Sequence, residues 1–232
     1  MSIDEIKAIV FDLDGTLIDS SIDFKIMRQR IISFLRSRGI PEEMLDADDT
    51  VTNNLGRFRS FMKARGQASI LEEMEPAIDS LLIEVELENV ERSSQLKGAE
   101  EALQTIREWG FMIGLLTRGS RTYTMEALRS SGLDHSHFDV IVCRDDFPAS
   151  DAKPNGKAME HVANSLGLSP GECLMLGDHP IDMLCARNAG STFVGVLSGW
   201  SDDSTWREKE CGHVIDSVAS LRAWLLERKL KS

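Results

Sequence analysis

The sequence has no apolar run near the ~18 residues that suggest a membrane-spanning helix. Its N-terminus leads directly into a charged segment and a strand-like run, so no signal-peptide pattern is visible. The cysteines are scattered, with neither CxxC nor Cys/His zinc spacing: they are Cys143, Cys173, Cys185 and Cys211. We therefore expect a reducing, cytoplasmic setting and no membrane partner.

Basic residues are scarce, because 26 Lys and Arg face 38 Asp and Glu for a net charge of -12. Nucleic-acid surfaces need clustered cations, so this balance argues against a nucleic-acid partner. One stretch, Val51–Leu71, has no acid and four cations: Arg57, Arg59, Lys63 and Arg65. Arg59 and Lys63 share a helical face, which is either a solvated surface or a local attractor for an anionic substrate.

Apolar strand-like runs alternate with amphipathic helical segments through most of the chain. These runs are Lys7 to Leu13, Phe111 to Leu116, Val140 to Cys143, Cys173 to Leu176 and Thr192 to Val196. The alternation is typical of an α/β fold with helices on both faces of a doubly wound parallel sheet. With 232 residues, 42% of them hydrophobic, the chain can bury a sizeable core.

The stretch 20–95 interrupts this alternation, because it offers helical segments and almost no strand-like run. We therefore expect residues 1–19 and 96–232 to form the core, and residues 20–95 to form a helical domain inserted after the first strand. In open parallel sheets, ligands bind beyond the carboxyl ends of the strands. The residues directly after each strand are therefore the candidate site.

Polar side chains follow several of these strands, and all are expected to meet at one edge of the sheet. They are Asp12 and Asp14, Thr117, Lys153 in a strand-to-helix loop, and Asp178 with Asp182 four residues later. This set of carboxylates, one hydroxyl and one lysine suits phosphoryl transfer. Thr117 and Lys153 would hold the non-bridging phosphate oxygens, and Asp182 would orient Lys153 or metal-bound waters.

Two aspartates so close together at the end of a buried strand must have their repulsion offset. A metal ion, a shared proton or an ordinary exposed turn would each do so; an EF-hand is excluded, because Leu17 stands where its sixth position needs Gly. Asp12 and Asp178, with a main-chain carbonyl, would supply the hard oxygen ligands that Mg²⁺ prefers. Asp12 can also act as a covalent nucleophile, with Asp14 as the acid and base.

Four segments in order, "DLDGT", "LLTRG", "KPNGK" and "GDHPID", resemble the motifs of the haloacid-dehalogenase-like superfamily. The helical insertion is similar to the C1-type cap of its phosphoglycolate-phosphatase-like members. The resemblance implies a Rossmann-like core, a mobile cap, obligatory Mg²⁺ and a phospho-aspartyl intermediate. By that analogy Asp12 is the nucleophile and Asp14 the general acid/base. The resemblance also implies that the metal ligands come from Asp12, Asp14 and Asp178, and that Thr117 and Lys153 bind phosphate.

Several residues near these motifs keep two interpretations. Arg118 stands where many relatives have Asn, so its main-chain N–H can serve phosphate while its side chain contacts substrate or solvent. His179 either lines the approach to the site or simply starts a helix before Pro180. For Trp200 and Trp206, packing is favoured over substrate stacking.

The sequence therefore predicts a Mg²⁺-dependent phosphatase acting on a small phosphorylated metabolite, such as a phosphoglycolate-like ester or a sugar phosphate. A sugar phosphomutase would use the same phospho-aspartate. A dehalogenase has no need of Asp14 or the metal site, and a phosphonatase would need a cap lysine, with Lys25 and Lys63 available. A non-catalytic binding protein would be free to lose residues that this chain keeps. No sequence feature indicates the oligomeric state.

Overall fold

The computed structural model describes residues 5–229 and divides the chain into two compact units. One unit is formed by the residues up to Ser20 together with those from Val90 onward, and the other is Ser21–Asn89. Among residues 5–229, no helix is long and apolar enough to cross a membrane.

The first unit contains a parallel six-stranded sheet with the order β5-β4-β1-β6-β7-β8, and β2 pairs with β3 separately. The strands are β1 Ala8–Phe11, β2 Ile18–Asp19, β3 Ser94–Gln95, β4 Met112–Leu116, β5 Val140–Val142, β6 Cys173–Gly177, β7 Thr192–Val196 and β8 Val214–Ile215. The predicted α/β class and parallel sheet are confirmed. The edge strand β8 and the short β2–β3 pair were not predicted, since two residues are too few to show a period.

The α-helices of the described residues are α1 Phe24–Ser37, α2 Val51–Ala64, α3 Ala68–Leu87, α4 Ala99–Glu108, α5 Arg121–Ser131, α6 Gly156–Ser165, α7 Pro180–Ala189, α8 Asp203–Glu208 and α9 Leu221–Lys229. In the first unit, each of β4, β5 and β6 is followed by a helix, as expected for parallel strands joined by crossover connections.

Strand β1 lies at the centre of the sheet, between β4 and β6. Its four residues, Ala8–Phe11, are fully buried, because both faces of a central parallel strand are covered. The register places Ala8 beside both Met112 and Cys173. The carboxyl ends of β1, β4 and β6 therefore lie next to one another at one edge of the sheet.

The second unit is helical, and its own core includes Leu35, Phe58 and Ile78. Its first residue, Ser21, donates a side-chain hydrogen bond to the carbonyl of Asn89 at 2.5 Å. The unit Ser21–Asn89 is shorter than the predicted stretch 20–95, because Ser94–Gln95 pairs antiparallel with Ile18–Asp19 in the first unit.

Candidate active site

Asp12 directly follows β1 and lies at the carboxyl edge of the sheet. Its main-chain N–H donates to the carbonyl of Leu176 in β6 at 2.9 Å, which extends the strand pairing by one residue. Thr117 follows β4 and Asp178 follows β6, and all three residues are buried. The structure therefore brings these three sequence-predicted residues to one edge, because their strands are neighbours in the sheet.

The Lys153 ammonium connects residues from four separate segments. Its Nζ donates to Asp12 Oδ1 at 2.5 Å, to Asp182 Oδ1 at 2.6 Å and to the main-chain carbonyl of Leu116 at 2.9 Å. The side chain is only 2% exposed, so a solvated loop lysine is excluded. Three acceptors use all three donors of an ammonium group.

His179 caps the N-terminus of helix α7, and the first turn of this helix brings Asp182 to Lys153. The His179 ring accepts the N–H of Ile181 at 3.2 Å, and the His179 N–H donates to Asp182 Oδ2 at 3.1 Å. This reciprocal pairing resembles a capping box, followed by proline at the first helical position. Since one Asp182 oxygen binds the helix start and the other binds Lys153, Asp182 is a positioning residue for the lysine.

Asp178 is held by the loop that follows β7. Its Oδ2 accepts the main-chain N–H of Trp200 at 2.6 Å, and its carbonyl accepts the N–H of Ser201 at 3.1 Å. Two glycines allow this close approach. A Cβ at Gly199 would lie 2.0 Å from Asp178 Oδ2, and one at Gly15, which also has φ +77, would lie 2.4 Å from that atom.

Burial and like charge dominate the electrostatics of this edge. Burial raises the pKa of the Asp178 carboxyl from 3.8 to about 7, and the neighbouring Asp182 adds to the effect. Burial also raises the pKa of Asp12; Lys153 opposes this, and the other carboxylates reinforce it. Burial alone would lower the pKa of Lys153, but Asp12 and Asp182 together raise it above its ordinary value. The lysine is therefore held as a cation.

The donor set fits a hard divalent cation. Asp12, Asp178 and Asp182 are all buried and offer carboxylate oxygens that lie within 4.8 Å of one another. Lys153 supplies one positive charge to these three carboxylates, so the cluster retains excess negative charge that burial makes costly. An oxygen-rich, anionic group of this kind suits Mg²⁺. Of the four predicted carboxylates, Asp14 lies outside this group of three.

Thr117 and Arg118 follow β4, and their side chains do different things. The Thr117 hydroxyl accepts the N–H of Gly119 at 3.0 Å, and its own O–H can still donate to an acceptor. The Arg118 guanidinium donates to the main-chain carbonyl of Lys153. Arg118 therefore fixes the loop that carries the lysine, a role that sequence reasoning did not anticipate.

Asp14 is half-buried, and its Oδ1 accepts a hydrogen bond from the Tyr123 hydroxyl of α5. Sequence reasoning missed Tyr123. The available signal was its position six residues after Thr117 in the same strand-to-helix segment, but an aromatic residue on an amphipathic helix usually indicates core packing.

The two tryptophans differ. Trp206 is 1% exposed, and its indole N–H donates to the Val196 carbonyl at 3.1 Å, so the packing prediction is confirmed for it. For Trp200 that prediction is wrong, because 62% of the residue is exposed. Its ring lies 4.4 Å from the His179 ring, centroid to centroid, and its main-chain N–H donates to the Asp178 carboxylate. His179 thus both starts α7 and contacts an exposed aromatic ring.

The basic run lies on α2 in the helical unit. Arg59 forms a bidentate ion pair with Glu75 of α3, at 2.6 and 2.7 Å, whereas Lys63 is exposed. Arg57 pairs with Asp49 at 2.6 Å. Two of the four cations therefore stabilise contacts within their own unit, and a role for Arg59 and Lys63 towards substrate stays a prediction.

The profile of the haloacid dehalogenase-like hydrolases matches residues 9–196. The chain belongs to this family. A phosphoglycolate phosphatase from Vibrio vulnificus is 29% identical over 226 residues, covering 95% of this chain and 96% of that protein. A pyrophosphatase from Halalkalibacterium halodurans is 28% identical over 234 residues, covering 94% and 95% respectively.

Among solved structures, a hydrolase from Pseudomonas syringae superposes with a TM-score of 0.71 at 26% identity, covering 95% of this chain and 98% of that one. Family membership confirms the predicted hydrolase and the resemblance drawn from the four motifs. The curated relatives named as phosphatases agree with the expected enzyme class.

The raised pKa of Asp178 predicts a pH-dependent loss of stability in the metal-free protein. The unfolded chain keeps a pKa near 3.8 and the folded protein has about 7, so this contribution is fully present below about pH 4 and is lost as pH rises through 7. In EDTA, the free energy of unfolding of the wild type should therefore fall relative to that of Asp178→Asn between these limits, by up to about 4 kcal/mol.

Urea unfolding at several pH values measures this difference, with Asp203→Asn, at an exposed position of α8, as the matched control. Mg²⁺ should offset the loss in the wild type and leave Asp178→Asn nearly unchanged. Parallel stability curves for the wild type and Asp178→Asn across the window would show that Asp178 is not the titrating group.

Removing the buried cation should destabilise the fold. Lys153→Met leaves Asp12 and Asp182 buried without their partner, so we expect a loss of roughly 3–5 kcal/mol in the free energy of unfolding. Lys157→Met, at an exposed lysine that pairs with Asp151, should change it by no more than about 0.5 kcal/mol. Denaturant unfolding near neutral pH gives both values; equal small effects would contradict the central role of Lys153.

Proposed function

We propose that this chain is a Mg²⁺-dependent phosphatase that hydrolyses a small phosphate monoester through an aspartyl phosphate on Asp12. The observation that carries the proposal is the buried Lys153 ammonium, held between Asp12 and Asp182 beside Asp178. A buried cation against the end of a nucleophilic carboxylate is suited to stabilising the negative charge of a transferring phosphoryl group.

The residues of this edge divide the work between them. Lys153 contacts Asp12 Oδ1, so we assign the other oxygen, Oδ2, as the atom that attacks phosphorus. The Thr117 hydroxyl donates to one non-bridging phosphate oxygen. The Lys153 ammonium, whose three donors are used in the protein alone, binds another by exchanging one of its acceptors for it. Asp14 donates a proton to the leaving oxygen and then takes one from the water that hydrolyses the aspartyl phosphate.

Asp12 and Asp178 would hold the Mg²⁺ through their carboxylates. Asp14, whose side chain is engaged by Tyr123, would contribute through its main-chain carbonyl. When bound, the metal supplies charge neutralisation for the phosphoryl oxygens and the clustered carboxylates. Uncatalysed monoester hydrolysis is slow enough for enhancements near ~10²¹, which accounts for the combination of a metal, a lysine and a covalent route.

The names of the relatives support a small phosphorylated substrate. One is named a phosphoglycolate phosphatase and another a pyrophosphatase, so the transferred group is a phosphoryl group and the leaving group is small. The exposed Trp200 ring, in contact with His179, offers an apolar surface beside Asp178 for part of that leaving group.

Phosphate release from a panel of esters, with Mg²⁺ and with EDTA, tests the proposal. The panel contains phosphoglycolate, sugar phosphates, nucleoside monophosphates and pyrophosphate. The wild type should release phosphate only with Mg²⁺, and Asp12→Asn should lose at least about a thousandfold in kcat while keeping its Tm within a few degrees. Acid quenching with labelled substrate should trap label on the wild type and none on the variant.

Metal-dependent release that survives in Asp12→Asn would rule out the covalent route through Asp12. An isomerised sugar phosphate in place of inorganic phosphate would identify the mutase, and no product with any ester would reject both enzymes. Trapped label on Asp12→Asn would assign the nucleophile elsewhere.

The basic run of α2 is a second part of the proposal: Arg59 and Lys63 raise the local concentration of an anionic substrate in a chain of net charge -12. Lys63→Glu should lower kcat/KM several-fold at low salt, and the effect should disappear near ~0.5 M salt. The double swap Arg59→Glu with Glu75→Arg keeps the ion pair and moves the cation to α3. Unchanged kcat/KM in both variants would leave these cations a structural role only.

A further inference from the structure

The chain contains a single tyrosine among its 232 residues, and the structure places it against the candidate acid/base residue. Tyr123 is fully buried in α5, and its hydroxyl donates to Asp14 Oδ1. The two residues are 109 positions apart in the sequence, so the contact depends on the packing of α5 next to the end of β1.

The start of α5 fixes the position of the Tyr123 ring. Ser120, also fully buried, caps the helix and accepts the Tyr123 N–H at 3.2 Å. On the preceding residue, a Cβ at Gly119 would lie only 2.6 Å from the ring. Gly119 therefore lets the Tyr123 ring pack against the backbone two residues after Thr117. The Ser120 cap fixes the start of the helix and with it the direction of the phenol.

The hydroxyl group requires an explanation that packing does not give. Phenylalanine would fill the same volume, and a buried hydroxyl costs free energy unless it is hydrogen-bonded. Asp14 supplies that bond, and in return one of its oxygens is held in place. A carboxyl group that must donate and accept a proton at a fixed point benefits from this constraint, because small displacements of a catalytic group reduce rate steeply.

We propose that Tyr123 is a positioning residue that aims Asp14 at the leaving oxygen; this rests on the proposed phosphatase function. Because the phenol donates to Oδ1, the proton of the Asp14 carboxyl resides on Oδ2. In the first step the P–O bond to Asp12 forms, the ester P–O bond breaks and the leaving oxygen takes the proton from Asp14 Oδ2. Tyr123 keeps its own proton throughout.

The test uses the dependence of rate on the leaving group. Leaving groups that need a proton, such as methoxide or phenoxide, depend on an aimed acid, whereas 4-nitrophenoxide leaves without one. Tyr123→Phe should therefore lower kcat/KM for phenyl and methyl phosphate roughly ten- to a hundredfold. It should change kcat/KM for 4-nitrophenyl phosphate by no more than about threefold, and Asp14→Asn should show the same selectivity more strongly.

Thr124→Val is the matched control, since Thr124 is a buried hydroxyl on the same helix that contacts Cys143. It should affect all esters equally or not at all. If Tyr123→Phe also acts equally on all esters, or on none, while the wild type is an active phosphatase, the positioning role is overturned and the proposed function stands. A wild type that hydrolyses no ester overturns both.

A measurement without turnover covers the case in which Tyr123→Phe folds poorly. Because the chain has one tyrosine, incorporation of 3-fluorotyrosine gives a single ¹⁹F resonance from position 123. Asp14→Asn should shift this resonance, and Asp203→Asn on exposed α8 should not. A ¹⁹F chemical shift that stays the same in Asp14→Asn would show that the phenol does not contact this side chain in solution. That result would overturn the proposal.

Discussion

The Lys153 ammonium is the interaction on which this edge of the molecule depends. Without it, three carboxylates would be buried within 4.8 Å of one another, and at least one would have to take up a proton. Its three donors join the end of β1, the last carbonyl of β4 and the first turn of α7. The same contacts that keep the lysine charged therefore also set the position of Asp12, the proposed nucleophile.

Charge balance also links stability to chemistry. A buried ion pair is weak evidence for stability, because removing its charges from water costs free energy. Here one ammonium group faces three buried carboxylates, so the charges do not balance. The remaining imbalance supports the proposed divalent cation. In the protein alone, burial and the neighbouring Asp182 carboxylate raise the pKa of Asp178. The proposed Mg²⁺ would relieve this electrostatic cost when bound.

Strand ends were predictable because they depend on local pattern. The residues before Asp12 are apolar on both faces of the strand, and so are Cys173 to Leu176. Both strands were therefore predicted to within one or two positions of their observed ends. Partner choice was not predictable, because it depends on contacts between distant segments. Lysine before proline indicates a loop; only the packed fold shows that its ammonium reaches Asp12.

Tyr123 and Arg59 show that local sequence patterns do not predict the partner of a polar side chain. Tyr123 has the sequence context of a core aromatic, and its hydroxyl gains meaning only when α5 lies beside Asp14. Arg59 has the context of a free cation, yet its guanidinium forms an ion pair with Glu75 on the next helix. Local patterns predict elements and faces, whereas the partner of a charged or hydroxyl group is a tertiary property.

The ends of the helical unit meet, since Ser21 bonds to Asn89, and the flanking segments are joined by the β2–β3 pair. A segment whose two ends lie together can be replaced without moving the strands on either side. The two units are therefore separable along the chain, and grafting Ser21–Asn89 equivalents from relatives would vary the helical unit while preserving the strand ends of the first unit.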